Sequence, residues 1–424
     1  MESDDAPSVQ LSAGRQDLSQ LDRALTEVGR PDILQLQGER TWLLSQTVVV
    51  RPGAVLDLSH VEVRMMSARQ FVGLEARGGV IEVEDSLVTS WDPAARLPDE
   101  NVSDGRAWVL ARDGGRLNIT SSGMQMLGYE APERYGVSWR TSGTDGKVED
   151  SIIVGNFYGL YMNGVEPMIV RDSTIEASIK YGLDPHSDSK GFVVEGNVFR
   201  NNGKHGMILA EGCSDAIVRQ NEAYGNRQHG IVVFEESNDA RITDNEIYDN
   251  GRSAIDVANS DRVVITSNDI YGNGTGITVH DEAEQTLVER NRLTANRGDG
   301  IRLSTGASRT RIISNLIDFN YRNGVYLDEG IRTLATRNEV IDNVTGVFIE
   351  DSDHASSVVD NRITHNVTDG VHLQVNPSAV IEENLIRTNG QAAFSVSKVA
   401  AARPYLSTNT VGIHPMGSER VRDD

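Results

Sequence analysis

The chain has 424 residues, with 62 acidic and 40 basic side chains, a net charge of -22 and an aromatic content of 5%. That balance excludes a general nucleic-acid binder, which needs a basic stripe, and the lack of any apolar run of about 18 residues excludes a membrane-spanning helix. The lone cysteine, Cys213, excludes an intrachain disulfide and leaves the redox compartment open.

Residues 1–14 are polar and read as a disordered N-terminus, and the opening MESDDAPS has no apolar core and is no signal peptide as it stands. From Gln16 to Val28, Leu18, Leu21, Leu25 and Val28 fall on one helical stripe. The segment ILQLQGERTWLLSQTVVV then breaks into short apolar runs and predicts strands. A short amphipathic helix ahead of stacked strands suits a cap that covers the open edge and the apolar end of the stack. Strands continue over 70–150, apart from Trp91–Arg106, whose Pro, Asp and Asn content predicts a loop.

A repeat then takes over. Asn197, Asn221, Asn245, Asn268, Asn291, Asn315, Asn338, Asn361 and Asn384 recur every 23 or 24 residues, and a second Asn series follows five residues after each, from Asn202 to Asn389. A glycine series (Gly159, Gly182, Gly206, Gly230, Gly276, Gly300, Gly324, Gly346, Gly370) precedes short alternating strands such as GIVVF and GVYLD. Three short strands per repeat of this length predict an all-β fold, a right-handed parallel β-helix whose coils stack about 4.8 Å apart. The helix with its N-terminal cap is expected over residues 15–400, and residues 401–424 are expected to leave the repeat and cover its last coil. The Asn columns predict side-chain amide ladders at the corners; Ca²⁺ at these Asn/Asp-rich corners is the weaker alternative.

Against this regular background one cluster stands out, Tyr181-Gly182-Leu183-Asp184-Pro185-His186. Asp184 and His186 are two apart, so on a strand they share a face, and Leu183 in the core would put both outside, exposed on the sheet. Pro185 removes a ladder donor, so local irregularity is expected. His205 before Gly206 and His229 before Gly230 share the repeat phase of Tyr181, which predicts one column, with Lys204, Glu211 and Glu235 nearby. A Zn²⁺ site from His186, His205 and His229 would lack close-spaced ligand motifs. His280, His354, His365 and His372 read as inert surface histidines.

YGLDPH, followed at repeat distance by KHGMIL, resembles the polymannuronate C5-epimerases of alginate biosynthesis, whose hallmark is a YG-apolar-DPH segment. FYGLYMNG (157–164, including Tyr161), MLGYEAPERYGVSW (126–139) and HGIVVFEESND (229–239) are similar to matching parts of the periplasmic type, and the likeness covers roughly residues 80–400. The resemblance implies an isomerase that removes the proton α to a uronate carboxylate and returns one on the opposite face. That chemistry needs a carboxylate neutraliser, a base and an acid. Carried over, His186 is the base, Tyr181 the opposite-face acid and Asp184 the orienting or neutralising group, with Tyr161, Lys204, His205, Glu211, His229 and Glu235 as substrate-binding candidates.

The chain departs from the periplasmic pattern at Ser187, where that type has Asp, and at Glu211 and Glu235, where it has Arg. The secreted Ca²⁺-dependent epimerases have a carboxylate near the place of Glu211, so Glu211 is either a protonated neutraliser or a Ca²⁺ ligand. No cofactor is required by the motif, and Ca²⁺ stays open. The expected partner is an anionic polysaccharide met by a monomer, in a secreted or periplasmic setting. Two other functions fit the same residues: a polysaccharide lyase, which adds β-elimination to the same proton abstraction, and a non-catalytic glycan-binding β-helix.

Overall fold

The structure, a computed structural model, describes residues 8–67, 71–350, 356–374, 379–397, 405–412 and 422–423. It falls into two compact units, Met1–Ile208 and Leu209–Asp424. Each is a stack of parallel strands in three sheets, as the repeat predicts.

In the first unit one sheet runs through Ser8–Leu11, Thr47–Val50, Gly73–Arg77, Trp108–Arg112, Gly136–Arg140, Tyr158–Asn163 and Leu183–His186, each paired in parallel with the next. Ser8–Leu11, expected to be disordered, are therefore a strand: alternation of Val9 and Leu11 with polar residues lets them pair with Thr47–Val50. Residues 1–7 lie outside the described residues. The predicted helix is Leu18–Glu27, and Leu18, Leu21 and Leu25 are buried. Asp17 accepts from the Gln20 amide and Gln20 Oε1 accepts from the Asp17 amide, a reciprocal cap that fixes the first turn. Val28, expected on the buried stripe, is 72% exposed because the helix ends one residue earlier and Val28 caps it. Among the described residues no helix is long and apolar enough to cross a membrane.

The loop expected over Trp91–Arg106 is in part a hairpin: the strand Leu87–Asp92 turns back so that Trp91 and Asp92 pair antiparallel with Leu97–Pro98. Arg106 is buried and ties the excursion down by donating to the Gly155 and Glu100 carbonyls.

In the second unit the corresponding sheet holds Ile231–Phe234, Ser253–Ala258, Thr275–His280, Ile301–Leu303, Asn323–Leu327, Thr345–Ile349, Val371–Leu373 and Phe394–Val396. The Asn columns form the expected ladders. Asn245 donates from its backbone and its side-chain amide to Asn268 Oδ1 at 3.0 and 2.9 Å, and the pattern repeats from Asn268 to Asn291 and from Asn291 to Asn315. The second column does the same from Asn250 to Asn273 and onward. Each amide also donates to a core-strand carbonyl, as Asn291 does to Ile265 at 2.9 Å, so the buried polar groups are satisfied.

The ladder reaches beyond the asparagines. In the first unit Ser86, Ser122, Ser151 and Ser173 occupy the same corner, each hydroxyl accepting the amide of the preceding rung, until Ser173 donates to Asn197 Oδ1 at 3.0 Å. The tail, expected to leave the repeat, instead extends it where it is described. Tyr405–Ser407 pairs with Val380–Glu382, Thr410–Val411 pairs with Leu385–Ile386, and Asn384 donates to Asn409 Oδ1. The 25-residue spacing from Asn384 to Asn409 hid this rung from a 23-to-24 period.

Candidate active site

The strand Leu183–His186 carries the cluster. Its entry turn needs glycine at 182, because a Cβ there would lie 2.4 Å from the Gly206 carbonyl oxygen. Leu183 is fully buried and pairs with Leu160 on one side and Met207 on the other. Alternation then turns Asp184 and His186 outward, beside their register partners Tyr161 and Asn163. The outward direction is as expected, but the exposure is not. Asp184 is 2% exposed and His186 is half-buried, because tyrosines close over this face.

Tyr135, Tyr158 and Tyr161 form that cover, with ring centroids 5.0–5.5 Å apart, and Tyr181 joins them 5.5 Å from Tyr158. Tyr161 also lies 6.0 Å from the His186 ring. Burial, and then the charge of Asp184, push the Tyr158 phenol well above its ordinary pKa. Burial likewise raises Tyr161, against the opposing pull of Arg140 and with help from Asp184. Both phenols are thus uncharged at neutral pH.

Tyr181 and His205 stack face to face, centroids 5.1 Å apart and planes 5° from parallel, as their shared repeat phase predicts. Lys204 Nζ donates to Tyr181 Oη at 3.1 Å and lies 5.0 Å from the ring centroid. His186 Nδ1 is 2.8 Å from Ser187 Oγ, and Ser189 Oγ donates to the His186 carbonyl at 2.8 Å. Ser187, the residue after the strand, thus meets the imidazole directly. Tyr161, Tyr181, Asp184, His186, Lys204 and His205 all lie in this one region of the first unit.

The other candidates belong to the second unit. Glu211 and Glu235, expected on the strand face, are left-handed turn residues with φ of 56° and 48°. The strands Met207–Ala210 and Ile231–Phe234 end just before them, and counting by repeats places both in the phase of Ser187, itself left-handed at φ 44°. Glu211 is therefore an exposed turn residue one position past its strand, not a strand-face residue. His229, expected to continue the column of Tyr181 and His205, has its Nδ1 3.7 Å from Asp256 Oδ1.

Sequence reasoning missed the far side of Asp256. His280 Nε2 lies 3.2 Å from Asp256 Oδ2, and its Nδ1 lies 3.1 Å from Asp281. The hydrogen bond to Asp256 raises the His280 pKa, whereas burial lowers that of His229. His372, also read as an isolated surface group, contacts Asp369 at 3.3 Å, Ser395 at 2.7 Å and Ser397 at 2.8 Å. His354 lies outside the described residues. Among the described residues no group of three or more His, Cys, Asp and Glu is arranged to hold a metal.

Arg140 and Asn163 were also missed, although the repeat points to them: 23 residues before His186 is Asn163, and 23 before that is Arg140. They pair in register, Arg140 with Asn163 and Asn163 with His186.

The chain is similar to several known proteins. The mannuronan C5-epimerase of Pseudomonas aeruginosa is 29% identical over 185 residues, 40% of this chain and 34% of that protein. The mannuronan C5-epimerase of Pseudomonas putida is 27% identical over 299 residues, 67% of this chain and 53% of that protein. The chain thus spans about a third to a half of the length of these curated relatives. The crystal structure of the periplasmic alginate epimerase AlgG superposes with a TM-score of 0.63 at 19% identity, over 96% of this chain and 85% of that one. The A-module of the Azotobacter vinelandii mannuronan C-5 epimerase AlgE6 gives 0.53 at 16% identity, over 94% and 96%. At these identities both structures speak to the fold. A family profile described as right handed beta helix region matches residues 116–262 and 208–363, more than half of the sequence. With its repeat, its three parallel sheets and this match, the chain belongs to the right-handed β-helix family.

Proposed function

We propose that this protein is a polyuronate C5-epimerase acting on polymannuronate or a closely similar polymer. The observation that carries the reading is that two different proton-transfer groups border one tyrosine cluster, His186 at 6.0 Å from the Tyr161 ring and Tyr181 at 5.5 Å from the Tyr158 ring. His186 is positioned by Ser187, and the Tyr181 oxygen accepts from Lys204 at 3.1 Å. The names of the curated relatives support the same chemistry.

The C5 proton is α to the C6 carboxylate. His186 Nε2 takes that proton, and the electron pair left on C5 delocalises into the carboxylate as an enediolate. Tyr181 Oη gives a proton to C5 from the opposite face, and Lys204 stabilises the charge left on the phenolic oxygen. No bond to C4 breaks, and the proton ledger closes when Tyr181 regains a proton from water and His186 releases its own. Asp184, buried beside Tyr158 and Tyr161, acts on the site through the charge it presents to those phenols, orienting the groups that face the sugar. The polymer belongs to a secreted or periplasmic setting, and the protein acts on it as a monomer.

Incubation with polymannuronate in D₂O, followed by proton NMR, tests the reading. Deuterium at C5 with inverted configuration and an uncut chain is expected. Unsaturated chain ends, seen by ultraviolet absorbance, would instead make the protein a lyase, and no exchange on any uronate would make it a binding protein. Tyr181→Phe is expected to keep polymer affinity and to lose about 100-fold or more in turnover, since only the proton-bearing oxygen goes. Full activity in that variant would remove Tyr181 from the reaction.

A further inference from the structure

Arg140 differs from the other arginines of its row. The neighbouring arginines of its row are neutralised: Arg77 by Glu75 at 2.8 Å, and Arg112 by Glu133 at 2.7 Å and Asp113 at 3.2 Å. These follow one another in register along the outward face, Arg77 to Arg112 to Arg140 to Asn163 to His186. Among the described residues no carboxylate lies within ion-pair distance of Arg140, and its Nη1 is buried with no hydrogen-bond acceptor. Its guanidinium carbon sits 5.3 Å from the centroid of Tyr161, the tyrosine that also faces His186.

A partly desolvated guanidinium without an anion is costly to keep. In a protein with 62 acidic residues, evolution had carboxylates in plenty to place beside it. The contact with Tyr161 compensates only in part, because a cation over a ring gains less than a charge-assisted hydrogen bond. Arg140 also stands two strand spacings from His186, roughly 10 Å along the stack. That is too far for the carboxylate of the sugar being deprotonated, yet close enough for the next sugar along the chain.

We infer that Arg140 is the binding site for the carboxylate of the uronate adjoining the reacting sugar, a positioning residue that selects a polyanionic chain and holds it in register over His186. The inference rests on the proposed polyuronate reading and adds to it a subsite and a specificity. Asn163, between Arg140 and His186, presents its amide 3.4 Å from Tyr161 Oη and borders the same subsite. The planar fork of arginine suits a carboxylate better than the point charge of lysine would.

The test uses the full chain and polymannuronate, comparing Arg140→Gln and Arg140→Lys with the wild type. Calorimetric binding and the C5 deuterium-exchange rate are both measured at low and high salt. Arg140→Gln is expected to raise Kd and KM by about tenfold or more, the scale of one lost charge-assisted hydrogen bond, with the smaller share of the loss in kcat. Arg140→Lys should fall between, and the gap between variants should narrow as salt screens the charge. An unchanged melting temperature in both variants shows that the loss is in binding. Wild-type-like Kd and KM in Arg140→Gln would overturn the inference, as would a loss confined to kcat. A wild type that binds polymannuronate without exchanging C5 protons would sink the epimerase reading alone, since the Kd comparison still decides the role of Arg140.

Discussion

His186→Ala is expected to lower the rate of C5 exchange by about 10³-fold or more, within the range that a positioned acid–base group contributes. The fold should survive the change. His186 is half-buried at the outward end of its strand, and the core contacts of that strand are made by Leu183. Removing the imidazole deletes the hydrogen bond to Ser187 but leaves Ser189 donating to the backbone carbonyl of residue 186, so the turn keeps its tie. Stability is therefore expected to change by roughly 1 kcal/mol or less. Polymer affinity should also persist, because the proposed carboxylate contact lies at Arg140. The check is NMR exchange alongside calorimetric binding: a variant that still exchanges at the wild-type rate takes His186 out of the mechanism, and one that fails to fold shows the residue to be structural.

The largest effect on stability is expected at a buried rung, and Asn291→Leu is the sharpest case. Leucine has the branching and heavy-atom count of asparagine but none of its hydrogen bonds. Asn291 Oδ1 accepts from the Asn268 amide at 2.9 Å and from the Asn268 side chain at 2.9 Å, while its own Nδ2 serves Ile265, Glu289 and Asn315. The substitution orphans the buried Asn268 backbone N–H and takes one partner each from the Asn268 side chain, which keeps Ile242 and Thr266, and from the Ile265, Glu289 and Asn315 acceptors. At about 1–3 kcal/mol for the orphaned donor and less for each weakened group, a loss of roughly 2–4 kcal/mol is expected. In a solenoid such damage is felt first by the adjoining coils. Amide hydrogen exchange should accordingly rise around Asn268 and Asn315 before it rises in the first unit. Uniform protection with an unchanged melting temperature would show that the ladder is dispensable.

Much of the scaffold was legible because a solenoid writes its period into the chain. The Asn columns, the glycine before each strand and the alternating apolar residues all reappear as ladders, tight turns and core layers. Where side chains changed but geometry did not, the period was harder to see. Ser86, Ser122, Ser151 and Ser173 perform the asparagine's task with a hydroxyl, and a search for one residue type passes over them. The helix was found from Leu18, Leu21 and Leu25, while Val28 was misplaced because periodicity does not mark where a capping residue ends it.

At the site, phase arithmetic brought Tyr181 and His205 together correctly, yet it read Asp184 as open to solvent. The neighbours of Asp184 include Tyr158 and Tyr161, which arrive from an earlier coil, with Tyr135 packed against both. Glu211 was misread for a related reason: its phase is that of Ser187, the left-handed residue after the strand, and one residue of slip exchanges a face position for a turn. Arg140 could have been found by stepping back twice from His186, since register in a parallel stack turns sequence spacing into spatial neighbourhood.

The corner ladder has a bearing on how such a chain changes length over time. Within each unit the described rungs present the same acceptor to the coil before and the same donor to the coil after, whether the side chain is serine or asparagine. Gene duplication or deletion of one whole coil would join two faces that already match, and no compensating substitution would be called for at the seam. Growth of the stack is in this sense neutral, and the tyrosine–histidine pair can keep its neighbours while coils are gained or lost elsewhere. A structure whose rungs are interchangeable carries no internal measure of its own length.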